Sequence, residues 1–267
     1  MDGVRSWLFL LLAGVAGTAY LWLSARNKQT PSSRSRSKAA QERSAGALPP
    51  QIEQSNQGSI IAVHGLGSNV DWSWTWKDDE KHINWLRDTD MLPARVRKSR
   101  IMTYSYQSKW HKDAPKTRLQ LCGEELIHSI DSFCSGTPKR PIIFIGHSLG
   151  GNVIVHALLH ASNEDEYKYL LEATAGVVFL GTPLRGTKWQ PFVDSLARLM
   201  GPAGSHRGIT QDLEFDGPEL RDRLHRFCRL RNMLSMPVSC FFELYETDYG
   251  QRHGLPGVAK GMVCKPS

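Results

Sequence analysis

Ser148 stands in Gly146-His147-Ser148-Leu149-Gly150, the spacing G-x-S-x-G. An apolar run, Pro141 to Ile145, leads into it, and a helix pattern follows at once. Strand, sharp turn and helix form the setting in which a serine is held out as a nucleophile. A hydroxyl so presented attacks an acyl carbonyl and carries the acyl group before water releases it. The flanking glycines have a steric task, because side chains there would collide as the strand folds back into the helix. Gly151 gives the helix further room to approach the sheet.

The attack places negative charge on the carbonyl oxygen, and two backbone N–H groups are needed to meet it. The first expected donor is the amide of Leu149, at the start of the helix. A second is expected from the loop after an earlier strand, and "AVHGLGS", Ala62 to Ser68, fits that place. Leu66 is its candidate donor. His64 in the same loop reads as an orienting or structural histidine, since the base in this arrangement follows the serine in the chain.

The elements that must hold these groups alternate. From Ser59 come "SIIAVHG", a helix-prone "HINWLRD", "RIMTYSY", and a helix "TRLQLCGEELIHSIDSFC" with Leu119, Leu121, Leu126 and Ile130 near one stripe and Cys122 beside them. Then follow "RPIIFIG", the helix "GNVIVHALLHA", "AGVVFLG" and finally "MPVSCFFELY". Apolar strands alternating with helices predict an α/β fold, with a mostly parallel central sheet flanked by helices.

Four motifs in order, "VHGLGS" (63–68), "NWLRDTDMLPARVRKSRIMTYSY" (84–106), "GHSLGG" (146–151) and "VVFLGTPLRGT" (177–187), carry a family likeness. Together they resemble the lipase-like serine α/β-hydrolases that include the GPI inositol-deacylases and the serine active-site-containing proteins. The likeness is closest to the hydrolase domains at the N-terminus of fungal ankyrin-repeat and nucleotide-binding proteins, and it covers roughly Ser59 to Tyr249. It implies a serine esterase or lipase acting on acyl esters, with Ser148 as nucleophile and no metal or organic cofactor. Some relatives are involved in lipid remodelling or organelle trafficking, a role that motifs alone do not transfer. One departure is Leu184, where many relatives have His after Gly-Thr-Pro; that position is expected to shape the pocket.

The expected chain order is serine, then acid, then histidine. Glu243 matches the acid that closes the corresponding strand in the relatives, and it would orient the imidazole. Glu246 and Asp248 are alternatives, and surface carboxylates at a strand end are the ordinary reading of all three. Beyond Glu243 the one histidine is His253, in the Gly/Pro loop "GQRHGLPG" with no strand before it. His156 and His160, at i and i+4 on the helix after Ser148, read as solvent-facing or structural. His206 and His225 precede the acid, and His225 lies in "RDRLHRFCRLR", whose charges suggest a solvated helix. Because no histidine fits well, the expected base lies beyond Ser267, with the last strand and helix of the fold.

The remaining signals concern surroundings. The chain has 267 residues and a net charge of +7, and residues 1–41 hold six basic residues against one acid, so most of that charge lies outside the expected hydrolase domain. No basic stripe interleaved with aromatics occurs there, which excludes nucleic acid as the expected partner. Five cysteines without C-x-x-C or zinc spacing read as reduced, mostly buried thiols. "WLFLLLAGVAGTAYLWL", residues 7–23, is an uncharged run of about the length that spans a bilayer. Residues 1–24 are thus expected to be a membrane anchor, with a cleaved secretory signal and a mitochondrial presequence as rivals. Residues 25–58 are expected to be a disordered linker and 59–267 the hydrolase domain. Positive charge after the run would keep that domain on the cytosolic or matrix side of a mitochondrial or endoplasmic-reticulum membrane.

The resulting expectation is a membrane-associated serine esterase or lipase, its substrate an acyl ester, with the nearby bilayer pointing toward lipids. A catalytically silent α/β-hydrolase module serving interaction or signalling is the alternative, and a bare membrane-tethered scaffold leaves the elbow unexplained. No protein partner is legible.

Overall fold

The computed structural model describes residues 58–65, 70–77, 80–106, 118–134, 140–185 and 218–242. Within these, the strands are β1 (Ser59–Val63), β2 (Thr75–Lys77), β3 (His82–Asn84), β4 (Arg100–Tyr104), β5 (Ile142–His147), β6 (Thr174–Leu180) and β7 (Val238–Phe241). The helices are α1 (Leu92–Arg95), α2 (Arg118–Cys134), α3 (Leu149–Asn163), α4 (Lys168–Ala173) and α5 (Pro218–Met233).

β1, β5 and β6 are the continuous apolar runs, and in β1 every residue is buried. Such strands pair in parallel because helices cover their faces. Among the described residues one sheet has the order β4-β1-β5-β6-β7, with every neighbouring pair parallel. β2 and β3 make a separate antiparallel pair.

Alternate residues of the strands feed two cores. Val63, Phe144, Val177 and Phe179 pack with α2, α3 and α5 through Leu126, Ile154 and Phe227. Ile60, Ala62, Ile145 and Val178 instead meet Trp74, Leu86 and Leu92, from the connection between β1 and β4. The three long helices therefore share one face of the sheet, and the β1–β4 connection lies on the other. Right-handed crossovers give this arrangement, since β4 to β5, β5 to β6 and β6 to β7 all step one way and β1 to β4 steps the other. The step direction reverses at β1 and β5, and the crevice beyond the carboxyl ends of such strands is where open α/β sheets bind ligands.

Three expectations need correction. "HINWLRD" is not a helix: His82–Asn84 is β3, and the chain then turns. The Asn84 carboxamide accepts from the amides of Leu86 and Arg87, each at 3.1 Å, and Asp88 accepts from the Asn84 amide at 2.9 Å. Such local side-chain bonds compete with helix formation. In α2, Leu119, Leu126 and Ile130 are buried, but Leu121 is 46% exposed. Its neighbour Cys122 is buried in its place. Of the described thiols, Cys122 is buried and Cys134 half-buried, whereas Cys228 and Cys240 are exposed; none of the four is in a disulfide.

Residues 1–57 lie outside the described residues. Among those described, no helix is long and apolar enough to cross a membrane.

Candidate active site

The carboxyl end of β5 enters the turn at Ser148, whose backbone sits at φ 51°, ψ −128°. A non-glycine residue rarely holds a positive φ, and doing so costs about 1–3 kcal/mol. The surroundings enforce it. α3 begins at the next residue, Leu149, which is fully buried, and the Ser148 amide donates to the Leu180 carbonyl at 2.8 Å. The turn thus stays tied to β6 as the chain reverses into the helix.

Close backbone contacts make the glycines obligatory. A Cβ on Gly146 would stand 2.5 Å from the Gly151 Cα, and one on Gly151 would stand 2.2 Å from the Thr182 Oγ1. Thr182 belongs to the Gly-Thr-Pro segment after β6, so that segment backs the elbow. Leu184, two residues on, packs against the helix-side core. A Cβ on Gly150 would lie 2.2 Å from the Val63 carbonyl oxygen and 2.4 Å from that of His64. The obstacle there is the loop after β1 rather than the elbow's own strand.

That loop runs against the serine. A Cβ on Gly65 would be 2.9 Å from the Ser148 Cβ, and 3.4 Å from the His147 Nδ1. His64 is buried, its ring N–H at Nδ1 donating to the Gly65 carbonyl at 2.8 Å. Its own carbonyl accepts from the Tyr106 hydroxyl at 2.9 Å, and the two rings stack with centroids 4.6 Å apart. Burial lowers the His64 pKa, only partly opposed by the bond to Gly65. The same burial, and then the neighbouring His64, bring His147 down to about 4. Both imidazoles are therefore neutral near pH 7, and Tyr106, pushed upward chiefly by burial, keeps its proton.

A family model described as "Alpha/beta hydrolase family" matches residues 60–253. The chain belongs to the alpha/beta hydrolase family. The chain is 25% identical over 223 residues to "Protein SERAC1" of Danio rerio, and 24% identical over 221 residues to "Protein SERAC1" of Homo sapiens. Each match covers 76% of this chain and 33% of the relative, so the chain spans about a third of the length of these curated relatives. Among solved structures it is similar to Bacillus licheniformis lipase BlEst2 in mature form, with 19% identity, a TM-score of 0.46, and coverage of 73% of this chain and 69% of that one. It is also similar to the phospholipase PlaB from Legionella pneumophila, with 11% identity, a TM-score of 0.45, and coverage of 64% and 35%.

Of the residues singled out from the sequence, the fold brings Ser148, Leu149 and the His64–Gly65 end of the β1 loop together. Leu66, Glu243, Glu246, Asp248, His206 and His253 lie outside the described residues. His156 is not solvent-facing: its Nε2 accepts from an Arg223 Nη1 N–H at 3.0 Å, between α3 and α5. Burial, then Arg223 and Arg226, hold it at about 3, so it accepts as neutral imidazole. His160 is half-buried beside Tyr167, with ring centroids 5.7 Å apart. His225 is exposed on α5, as its charged setting suggested. Among the described residues no group of His, Cys, Asp and Glu has the arrangement to hold a metal ion.

Sequence reasoning passed over Tyr106, His147 and Trp74. Tyr106 stands two residues beyond β4, and its aromatic type there was the available signal. His147 is defined only by standing before Ser148, and Trp74 reaches it from a turn 73 residues upstream. No local pattern foretells that contact.

Proposed function

We propose that this chain is a serine esterase, with Ser148 attacking an acyl ester and the acyl group passing through an ester of that serine to water. The observation that carries the reading is the strained Ser148 backbone, held at positive φ where Gly65 of the β1 loop leaves no room for a side-chain carbon beside the Ser148 Cβ. Strain of this kind persists only where surroundings over-determine it, and a presented nucleophile is a use that repays it.

In this reading the Leu149 amide, at the first position of α3, and the Leu66 amide receive the developing oxyanion. Glu243, or Glu246 or Asp248 in its place, orients the imidazole that takes the Ser148 proton. The histidine that serves is one outside the described residues. The neutral state of His64 and its bond to Gly65 suit an orienting part, because they fix the backbone just before Leu66. Residues 7–23 would tether the enzyme to a mitochondrial or endoplasmic-reticulum membrane, with its catalytic face toward lipid esters.

Hydrolysis of p-nitrophenyl esters by the full chain, wild type against Ser148→Ala, tests this. Loss of one member of such a machinery lowers kcat by orders of magnitude. Equal rates in the two proteins, or none in either, would favour a silent module that keeps the fold for interaction.

A further inference from the structure

Five buried side-chain nitrogen atoms among the described residues lack any hydrogen-bond partner. Three of them, His64 Nε2, His147 Nδ1 and Trp74 Nε1, belong to rings gathered around the Gly65–Ser148 contact. Natural proteins hold few such atoms, and leaving one unpaired costs about 1–3 kcal/mol. Three in one place call for a partner that arrives.

The geometry ties one of them to the reacting serine and sets the ring of a second against it. The His147 Nδ1 and the Ser148 Cβ both lie within 3.4 Å of a single point, the position a Cβ on Gly65 would take. The Trp74 ring meets the His147 ring edge to face, with centroids 6.2 Å apart. Trp74 is 1% exposed and also meets the Trp85 ring edge to face, with centroids 5.5 Å apart. The indole nitrogen can only donate, and a neutral imidazole donates from whichever nitrogen meets an acceptor. A buried imidazole nitrogen beside the nucleophile, with a buried indole N–H on the adjoining ring, favours a substrate oxygen over hydrocarbon.

We infer that Trp74 and His147 form a donor pair that receives an oxygen of the substrate other than the scissile carbonyl, so that the preferred ester carries an ether, ester or hydroxyl oxygen close to the bond that is cut. The inference rests on Ser148 as nucleophile and adds a preference that the elbow alone does not require. Paired rings lose their burial penalty when such an oxygen docks, and a methylene in its place leaves both nitrogens unpaired.

Two pairs of isosteric esters read this out on the full chain. p-Nitrophenyl methoxyacetate and p-nitrophenyl butyrate differ by one oxygen on the acyl side, and 2-methoxyethyl acetate and butyl acetate differ by one on the alcohol side. For at least one pair, the kcat/KM preference for the oxygen-bearing ester, relative to wild type, drops about fivefold to tenfold in Trp74→Phe and in His147→Leu. His147→Asn, which returns an N–H near the Nδ1 position, restores much of it. The responding pair tells which side of the ester the donors face. An unchanged preference in both pairs overturns the inference. A second readout needs no turnover: in Ser148→Ala, the indole N–H resonance that Trp74→Phe removes shifts with the oxygen-bearing ester and not with its isostere. Equal shifts, or none, also overturn it. Failure of the Ser148 reading looks different, as it leaves Ser148→Ala hydrolysing these esters at the wild-type rate.

Discussion

Replacing Ser148 by glycine and, separately, by alanine turns the backbone strain into a measurable sign. At an ordinary position glycine is less stable than alanine by roughly 0.5–1 kcal/mol, because the unfolded chain gains freedom. At φ 51°, ψ −128° alanine keeps the Cβ that makes the conformation costly, and glycine does not. The strain released is about 1–3 kcal/mol. Set against the glycine penalty of roughly 0.5–1 kcal/mol, Ser148→Gly should be at least as stable as Ser148→Ala, by about 0–2.5 kcal/mol. Urea unfolding of both variants measures it, with a common m-value confirming that the same surface is exposed. Both lack the hydroxyl, so the comparison isolates the backbone. A glycine variant less stable than the alanine variant by the ordinary amount would refute the claim that this turn is strained.

Further outcomes follow from the packing around the elbow. Gly150→Ala drives a methyl group into the carbonyl oxygens of Val63 and His64, so it should destabilise by about 1–3 kcal/mol or more and lower the expression of folded protein, measured by thermal unfolding. Tyr106→Phe leaves the buried His64 carbonyl unpaired; we expect a loss of about 1–3 kcal/mol in urea unfolding, with esterase kcat falling more than KM rises. His147 and His156 are held near 4 and 3 when folded and titrate near 6.5 when unfolded. Between those values the unfolded chain binds more protons, so stability should fall as pH drops from about 6.5 toward 4. The slope is up to about 1.4 kcal/mol per pH unit for each histidine, and His156→Asn should reduce it in urea unfolding at pH 7 and pH 5.

Much of the positioning frame was legible because it is written in local pattern. β1, β5 and β6 are buried on both faces and so read as unbroken apolar runs, and the elbow needs glycines at set distances from Ser148. What escaped depends on long-range contact. The stretch after His82 has helical periodicity, yet Asn84 and Asp88 capture its backbone amides and make a turn. Leu121 fits a helical stripe but faces solvent, because the register of α2 on α3 puts Cys122 inward. Arg223 finds His156 across 67 residues, and Trp74 finds His147 across a comparable span. Neither pair leaves a mark on its own segment. The acid and base were argued from chain order and from likeness to relatives, which fix succession along the chain and not distance in space.

The central claim is that Ser148 is a presented nucleophile. Treating the native full-length protein with a fluorophosphonate and mapping the adduct by peptide mass spectrometry tests it most directly. The account predicts one phosphonylated residue, Ser148, with labelling abolished by prior heat denaturation and by Ser148→Ala. A native protein that takes up no label, or one whose labelling survives Ser148→Ala, would contradict it.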